Sequence, residues 1–363
     1  MSPTPPGPVL KRNIPWADVR REAQFDAWLQ ALAPQHGLLP DTLRIASADA
    51  SFRRYLRIDA AAGASRIIMD APPEREDCAS FVQVAGLLHG AGLRAPEVLA
   101  WDREHGFMLL SDLGTQTLLE VLDPAEPARA RPLYLQAVEI LVAWQRASRP
   151  GVLPPYDAAL LQRELALFPE WYVARHRAFE LTDAQRAALA RLFDRIVAEN
   201  LRAAAVYVHR DFMPRNLMLT ALPGGGPALG VLDFQDAVHG PITYDIASLL
   251  RDAFVSWDEE FVLDITVHYW ERARAAGLPV DGDFGDFYRA VEWMGLQRHL
   301  KVAGIFARLT LRDGKPRYLA DAPRFIGYIR STAGRYRELA PLLRLLDEIE
   351  GTQVAAGYAF GRV

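Results

Sequence analysis

The sequence predicts an α+β fold with two lobes: a small N-terminal lobe built on an antiparallel sheet and a large, mostly helical C-terminal lobe. Short segments of alternating apolar and polar residues dominate the chain up to residue 111, and long segments with apolar residues at helical spacing dominate after it. With 363 residues, the chain is long enough for each lobe to bury its own core. We therefore predict a disordered tail at residues 1–13, an N-terminal lobe at 14–111 and a C-terminal lobe at 112–363.

The elements of the N-terminal lobe follow from hydrophobic periodicity. Four prolines within residues 1–13 disfavour regular structure there, and apolar residues at helical spacing predict a helix over residues 16–33. Alternating residues then predict five strands, with one further helix at residues 78–89. The predicted strands are residues 43–45, 52–58, 66–69, 97–101 and 107–110.

The C-terminal lobe is predicted to be helical apart from three short strands. Residues 206–208 form one strand, and two more flank a hairpin turn at residues 223–227, where the sequence reads Pro-Gly-Gly-Gly-Pro. A connector near residues 111–114 joins this lobe to the sheet. The predicted helices are residues 128–147, 157–178, 182–201, 241–254, 258–276, 284–312 and 338–350.

Composition and charge exclude several classes of protein. Apolar residues make up 50% of the chain and charged residues 24%, which is an ordinary globular mixture. The net charge is −4 and no basic tract is present, so we expect no nucleic-acid partner. The proline-rich start lacks the apolar core of a signal peptide, and no segment reaches about 18 consecutive apolar residues, so no membrane span is expected. Since Cys78 is the single cysteine, no intramolecular disulfide can form, and a cytoplasmic protein is expected.

The most informative segment runs from Val208 to Asn216 and reads Val-His-Arg-Asp-Phe-Met-Pro-Arg-Asn. Seventeen residues after Asn216 comes Asp233, at the start of Asp-Phe-Gln-Asp. Phosphoryl transfer needs these groups in this order. Asp211 can accept the proton of an attacking hydroxyl, and Asn216 and Asp233 can bind the magnesium ion that bridges the nucleotide phosphates. The paired motifs therefore predict a bilobal, protein-kinase-like enzyme that uses ATP and Mg²⁺.

Neighbouring residues are predicted to support this site. His209 and Arg210 are expected to brace the backbone of the catalytic loop rather than to touch the substrate. Asp245, in the sequence Tyr-Asp-Ile-Ala, either caps the first turn of a helix or contacts that loop. Asp236 either assists the metal or the substrate, or lies in a surface turn. For Asp211 itself, the alternative is a loop aspartate that makes turn hydrogen bonds.

The N-terminal lobe departs from the protein-kinase pattern in two ways. The predicted nucleotide-covering loop, which ends at Ser51, contains no glycine. The strand-rich block also contains no lysine, so a cation on the α- and β-phosphates must be an arginine. Arg53 and Arg54 are the preferred candidates, with a solvated arginine as the alternative. The other arginines considered are Arg57 and Arg66. The carboxylates considered as ion-pair partners, or else as solvated charges, are Glu74 and Glu76.

The adenine base is predicted to bind to backbone groups of the connector, from Leu110 to Asp112. Backbone contacts of this kind leave no side-chain signature in a sequence. Met108 has a soft, adaptable side chain that suits the wall of such a pocket, and core packing stays open as the alternative.

The sequence resembles the aminoglycoside phosphotransferase-like superfamily. The resemblance rests on residues 209–216, on residues 233–236 and on Tyr-Asp-Ile-Ala at residues 244–247, with helices beyond. Members of that superfamily share the bilobal kinase fold and phosphorylate small molecules such as antibiotics, choline, homoserine and sugars. The resemblance therefore implies a small-molecule kinase.

Longer strings resemble a narrower family, the bacterial anomeric amino-sugar kinases of peptidoglycan recycling. Those enzymes phosphorylate N-acetylmuramate and N-acetylglucosamine at the C1 hydroxyl, so the resemblance implies a sugar 1-phosphate as the product. The glycine-free loop and the missing lysine are also similar to the pattern of this family. The matching strings are residues 49–55, 69–74, 168–172 and 297–309.

Two regions are predicted to contact the sugar. Glu164 is expected to bind hydroxyl groups, and Trp171 or Tyr172 to stack on the pyranose ring, with core packing as the alternative for both aromatics. Arg298 and Lys301 belong to a helical stripe of basic residues that suits the lactyl carboxylate of N-acetylmuramate, with a solvated helix face as the alternative. The other members of the stripe are Arg308 and Arg312.

Two other functions stay open. The enzyme could phosphorylate another small alcohol, such as an aminoglycoside, choline or homoserine, although the basic stripe argues against the first two. A pseudokinase without activity is a different class, and the presence of Asp211, Asn216 and Asp233 argues against it. The expected partners are ATP and an amino sugar, bound to a monomer. The sequence does not decide between the two N-acetylated sugars, their anomers, or ATP and GTP.

Overall fold

The structure is a computed structural model that describes residues 14–16, 18–48, 53–221 and 227–351. Three predictions fall outside these residues: the tail at residues 1–13, the end of the nucleotide-covering loop with Ser51, and the tip of the hairpin turn. The described chain divides into two compact units. Unit 1 comprises the chain up to Gln116 together with Met218–Asp236, and unit 2 comprises Thr117–Leu217 and the chain from Ala237 onward.

Unit 1 is built on a five-stranded antiparallel sheet with the strand order β1-β2-β3-β5-β4. Helix α1 (Val19–His36) begins after Asp18, whose side chain accepts a hydrogen bond from a first-turn amide. It ends at Gly37, which adopts the left-handed conformation that glycine favours. Helix α2 is Cys78–Gly90. The strands are β1 (Arg44–Ala48), β2 (Arg54–Asp59), β3 (Ser65–Asp70), β4 (Val98–Asp102) and β5 (Phe107–Ser111).

The core of unit 1 lies between α1 and the sheet. Leu56 and Ile58 alternate with less buried residues along β2 and are almost completely inaccessible. From the helix, Phe25 meets Phe107 of β5 edge to face at 5.4 Å, and Trp28 lies 5.5 Å from the same ring. Aromatic pairs of this kind add to the stabilisation from apolar burial, so they fix the N-terminal helix on the sheet.

A two-stranded hairpin, β7 (Leu217–Ala221) and β8 (Pro227–Val231), contributes most of its residues to unit 1. The Leu219 amide donates to the Gln116 carbonyl at 2.9 Å, and the Val231 amide donates to the Arg94 carbonyl at 2.8 Å. These bonds join the hairpin to unit 1 despite the separation in sequence. Asp233, two residues after β8, therefore belongs to unit 1.

Unit 2 is helical and contains α3 (Pro127–Arg146), α4 (Ala158–Leu165), α5 (Asp183–Asn200), α6 (Tyr244–Leu250), α7 (Glu259–Ala275), α8 (Phe284–Leu311), α9 (Ala322–Arg335) and α10 (Ala340–Glu350). Helix α8 packs against α9 and against a π-helical segment, Phe168–His176. Gly304 permits the second contact, because a Cβ at this position would lie 2.4 Å from the Leu167 carbonyl oxygen. The centre of α8 is buried on all sides, as expected for the core helix of a large unit.

A short antiparallel ladder positions the predicted catalytic loop. Strand β6 (Ala205–Val208) pairs with β9 (Val238–Pro241), with Val208 opposite Val238. Tyr207 and Val208 are fully buried, and the Tyr207 amide donates to the Ser148 hydroxyl at 2.6 Å. Because His209 follows β6 directly, the loop starts from a point that the core of unit 2 holds in place.

The predicted α+β class is confirmed, and several elements differ from the prediction. The helix expected over residues 157–178 is α4 followed by the π-helical segment, where Pro169 has no amide hydrogen for an α-helical ladder. The helix expected over 241–254 is shorter at both ends, since Pro241 pairs with Ala205 of β6 and α6 runs only from Tyr244 to Leu250. Helix α9 and strand β9 were not predicted. Among the described residues, none of the helices combines the length and apolarity needed to cross a bilayer.

Candidate active site

Asp245 holds the backbone of the predicted catalytic loop. Its carboxylate accepts hydrogen bonds from the amides of His209 at 2.7 Å and Arg210 at 3.0 Å. The side chain is fully buried in the first turn of α6. Burial raises the pKa of Asp245 to about 7, and the two loop amides act in the opposite direction. Of the two predicted roles of Asp245, the geometry shows the contact with the loop.

Arg210 has an unfavourable backbone conformation, with φ at +76°. A non-glycine residue in a sparsely populated region costs roughly 1–3 kcal/mol, which other contacts must offset. Its Nη2 atom lies 2.5 Å from Glu164 in an ion pair. The same carboxylate pairs with Lys301 at 2.9 Å and accepts a hydrogen bond from the Tyr156 hydroxyl. Burial alone would raise the pKa of Glu164, but Lys301 and Arg210 lower it below its usual value.

Asp211 and Asn216 lie at the ends of the turn that follows Arg210. The Asn216 Nδ2 atom donates to the Asp211 carbonyl oxygen at 2.8 Å, and the Asp211 amide donates to Nδ1 of His209 at 3.3 Å. The Asp211 side chain is partly exposed, whereas Asn216 is buried. Since the Asn216 nitrogen bonds within the loop, the neutral amide oxygen is the atom suited to a cation.

Asp233 belongs to unit 1 and also has a left-handed backbone, with φ at +61°. Gln235 Nε2 donates to its Oδ1 atom at 3.0 Å, and the next residue, Phe234, packs on Phe81 of α2 with the ring centroids 4.8 Å apart. Strained residues are typical of functional positions held by their surroundings. A carboxylate at Asp233 and an amide oxygen at Asn216 are the donor types that Mg²⁺ takes beside nucleotide phosphates, so the residues fit that ion.

The two preferred arginines of unit 1 have different partners. Arg53 forms an ion pair with Glu76, just ahead of α2, with Nε 3.1 Å from the carboxylate. Burial alone would lower the pKa of Arg53, but Tyr55 and Glu76 raise it. Arg54 instead pairs with the buried Asp70, which also binds Arg21 of α1.

Arg54 also contacts the first residues that the structure describes. It donates to the Pro15 carbonyl at 2.8 Å, and its guanidinium lies 3.9 Å from the centre of the Trp16 ring. These contacts place its side chain on the side of the sheet covered by α1, whereas Arg53 faces the approach to α2. The structure therefore separates two candidates that the sequence could not.

Arg57 binds the connector. Its Nε and Nη2 atoms donate to the Asp112 carboxylate at 2.6 and 3.0 Å, and Ser65 donates to the same group at 2.7 Å. Burial would raise the pKa of Asp112, but the hydrogen bonds from Arg57 and Ser65 lower it. Leu110 of the connector and Met108, which was predicted to line the adenine pocket, are buried in β5. The side chain of Asp112 thus anchors the connector to the sheet.

Most of the residues predicted to contact the sugar have interaction partners within unit 2. Trp171 lies under the Arg175 guanidinium, 3.7 Å away, and the Tyr172 hydroxyl donates to Glu350 at 3.0 Å. Arg298 and Lys301 are buried against Tyr244. By contrast, Arg312 is exposed and pairs with Asp313. The basic stripe is therefore not one solvated surface, since Arg298 and Lys301 lie in the core beside the predicted catalytic loop.

Three residues that contact the predicted site residues were not themselves predicted from the sequence. Tyr156 and Tyr244 contact the carboxylate and the lysine described above, and Asp70 links two arginines of unit 1. Tyr244 could have been found, because it directly precedes Asp245 in the Tyr-Asp-Ile-Ala string. Asp70 lies 49 residues from Arg21 and 16 from Arg54, so no local pattern marks it. Tyr156 is only eight residues from Glu164, but it belongs to none of the motifs.

The fold and the paired motifs define a protein-kinase-like phosphotransferase. Solved structures support the fold. An ethanolamine kinase of Plasmodium vivax superposes with a TM-score of 0.62 over 94% of both chains at 11% identity. The GDP complex of aminoglycoside 2'-phosphotransferase-IIIa gives a TM-score of 0.58 at 14% identity, covering 86% of this chain and 99% of that one.

The chain belongs to the phosphotransferase enzyme family, whose family model matches residues 42–279. Its relatives include two proteins described as N-acetylmuramate/N-acetylglucosamine kinase. The one from Pseudomonas aeruginosa is 50% identical over 92% of this chain and 98% of its own length. The one from Neisseria meningitidis is 48% identical over 94% of this chain and 100% of its own length. The predicted family and enzyme class are confirmed.

Proposed function

We propose that this chain is an ATP- and Mg²⁺-dependent kinase that phosphorylates the anomeric C1 hydroxyl of N-acetylmuramate, N-acetylglucosamine or both. The product is the sugar 1-phosphate, formed in cell-wall recycling. The observation that carries this proposal is the 48–50% identity, over 92–94% of the chain, to relatives described as kinases of these two sugars. The proposal assigns C1 as the reacting position on the resemblance to the anomeric amino-sugar kinases.

The proposed mechanism gives Asp211 the role of general base. Its partly exposed carboxylate orients the sugar hydroxyl and takes its proton as the new bond to phosphorus forms. Asn216 and Asp233 would hold Mg²⁺, which neutralises charge on the nucleotide phosphates when it is bound. His209, Arg210 and Asp245 fix the loop that carries the base. Positioning and charge neutralisation supply most of the rate enhancement.

In this proposal the N-terminal lobe covers the nucleotide. Arg53 is the cation for the α- and β-phosphates, since its ion pair with Glu76 parallels the lysine–glutamate pair of protein kinases. The connector at Leu110–Asp112 offers backbone groups to the adenine base, and Asp112 keeps it on the sheet through Arg57. The sugar contacts of Trp171, Tyr172, Arg298 and Lys301 stay predictions.

We also propose that the enzyme acts as a monomer in the cytoplasm. Each chain carries both motifs, so a second copy is not needed to complete the set of catalytic residues. ATP, the proposed phosphate donor, is available in that compartment. Size-exclusion chromatography with light scattering would test the oligomeric state.

The direct test is phosphate transfer from Mg²⁺-ATP to N-acetylmuramate, N-acetylglucosamine, glucose and kanamycin. Phosphorus NMR of each product would show which oxygen carries the phosphate. We expect a sugar 1-phosphate from at least one N-acetylated sugar and none from kanamycin. Transfer to kanamycin alone would contradict the proposed substrate, and an absence of transfer with retained nucleotide binding would favour the pseudokinase.

A further inference from the structure

A closed ring of contacts in unit 2 passes through the catalytic loop. Glu164 of α4 pairs with Arg210 of the loop and with Lys301 of α8. Lys301 Nζ in turn donates to the Tyr244 hydroxyl at 3.2 Å, and the next residue, Asp245, accepts hydrogen bonds from two loop amides. The ring therefore joins three helices to the loop. Its members lie within the core of unit 2, where ion pairs are screened little by solvent.

Glu164 occupies a particular position in this ring. Its carboxylate is 5% exposed and receives two cations and the Tyr156 hydroxyl. A carboxylate with this many partners has few acceptor sites left for sugar hydroxyls. Although burial would lower the pKa of Lys301, Tyr244 and Glu164 raise it, so both members of this pair stay charged. Glu164 is thus suited to hold other residues in place.

The residue that Glu164 holds is the strained one. Arg210 has φ at +76°, and Asp211 is the next residue in the chain. If Arg210 relaxed to an ordinary negative φ, the peptide that carries Asp211 would rotate. The Asp245 bonds fix the amide of Arg210, and the Glu164 ion pair fixes its side chain, so the two contacts restrain the residue from both ends.

We propose that Glu164 is a positioning residue that acts on Asp211 through Arg210, rather than a residue that binds the sugar. This inference rests on the proposed function, because turnover is one of its readouts. Misplacement of a reacting group by about 1 Å can cost on the order of a hundredfold in rate. Loss of the Glu164 charge should therefore lower kcat, and the Michaelis constants for both substrates should change little.

Unit 2 offers a closely matched control. Glu292 of α8 is 2% exposed, pairs with Arg335 and Arg251, and accepts a hydrogen bond from the Tyr336 hydroxyl. Like Glu164, it is a buried carboxylate between two arginine or lysine cations and one tyrosine, but its partners lie outside the catalytic loop. Glu164→Gln and Glu292→Gln therefore remove the same kind of interaction at two places.

The experiment compares these two variants with the wild type. For Glu164→Gln we expect kcat to fall roughly tenfold to a hundredfold, with KM for sugar and ATP within about twofold of wild type. For Glu292→Gln we expect kcat within about twofold of wild type. Both variants should lower Tm by a similar amount, because each removes one charge from a buried ion pair. Equal effects of both variants on kcat would overturn the proposal. So would a raised KM for the sugar at unchanged kcat, which is the result expected of a sugar ligand.

A second readout does not depend on turnover. Hydrogen exchange of a peptide covering residues 207–216 reports the opening of the catalytic loop. We expect this peptide to exchange roughly tenfold faster in Glu164→Gln than in Glu292→Gln or wild type. Unchanged exchange would overturn the inference, whether or not the enzyme phosphorylates amino sugars. Failure of the wild type to phosphorylate any sugar would instead contradict the proposed function.

A double variant tests the route through Arg210. Glycine adopts φ near +76° without strain, so Arg210→Gly removes both the strain and the ion pair. In that background, adding Glu164→Gln should change kcat by less than about twofold, because coupled residues are not additive. A further loss of about tenfold in kcat would show that Glu164 acts independently of Arg210 and would overturn this route.

Discussion

Arg53 and Arg54 are neighbours in sequence, yet their side chains lie in different surroundings. Arg53 pairs with Glu76 at the approach to α2, whereas Arg54 joins Asp70, Pro15 and Trp16 beneath α1. Alternation along a strand sends successive side chains to opposite faces. Arg53 directly precedes β2, and at the scale of single residues its different partners separate a candidate ligand of phosphate from a residue that supports the sheet.

Alanine substitutions should distinguish these two roles. Arg53→Ala is expected to raise KM for ATP roughly tenfold, because a charge-assisted contact to phosphate is lost. Arg54→Ala is expected to lower Tm by several degrees, since it leaves the buried Asp70 with one cation fewer, and to leave KM for ATP within about twofold. Steady-state kinetics and thermal melting provide both measurements. The opposite pattern would transfer the phosphate role to Arg54.

Asp211→Asn should abolish most turnover while the fold and nucleotide binding persist. The amide cannot take a proton, and loss of a positioned general base costs roughly 10²–10⁴-fold in rate. The Asp211 carbonyl that accepts from Asn216 is unaffected, so the turn should remain. Kinetics and calorimetric titration with a nucleotide would check both expectations. Activity near that of wild type would refute the assignment of Asp211.

The sequence could supply candidates for the proposed chemistry, because Asp211, Asn216 and Asp233 lie at fixed spacings within local motifs, and their roles stay predictions. It could not predict how Glu164 is used. Its partners Arg210 and Lys301 are 46 and 137 residues away along the chain, and only the fold brings them together. Partners of buried charges depend on such non-local contacts, which no single-sequence pattern encodes.

At the scale of elements, helix α8 and the π-helical segment show a close approach of two backbones. Gly304 makes it possible, because the space that a Cβ would need is filled by the backbone of Leu167. The extent of α8 follows from its apolar spacing, since it was predicted at 284–312 and is observed at Phe284–Leu311. The π turns were not predictable in the same way, because they also depend on packing against α8, which lies more than a hundred residues further along the chain.

Two glycine substitutions test this contact. Gly304→Ala should destabilise the protein by about 1 to 3 kcal/mol, because neither backbone can move without strain. Gly327 of α9 is exposed, with no atom within 4 Å of the site of a Cβ. Gly327→Ala should therefore stabilise the protein by about 0.5 to 1 kcal/mol through helix propensity. Denaturant unfolding would give both values, and equal effects would refute the steric explanation.

At the scale of the whole molecule, buried ionisable groups make stability depend on pH. His299 of α8 is fully buried, and its Nε2 atom lies 3.3 Å from the Arg251 carbonyl oxygen. Burial, together with Arg251 and Arg298, holds the pKa of His299 well below its ordinary value of 6.5. The folded protein thus keeps this residue neutral at a pH at which the unfolded chain protonates it.

The direction of this pH dependence follows from the thermodynamic linkage between protonation and folding. Because the folded pKa is depressed, the contribution of His299 is fully present above about pH 6.5 and is lost as the pH falls toward the folded pKa. His299→Gln should remove this loss. We expect the free energy of unfolding of the wild type to fall relative to that of the variant by about 1.4 kcal/mol per pH unit below 6.5. Urea titrations at pH 7, 6 and 5 would measure it, and parallel pH profiles would contradict it.

The division into units has a consequence for the order in which the protein can fold. Unit 1 includes the segment Met218–Asp236, so the chain leaves this unit after Gln116 and returns to it about a hundred residues later. At about 5–20 residues per second, a ribosome needs roughly ten seconds for this interval. During that time the nascent sheet lacks the partners of the Gln116 and Arg94 carbonyls. The first segment of unit 1 is therefore the first to leave the ribosome, but unit 1 cannot be complete before the predicted catalytic loop has also been made.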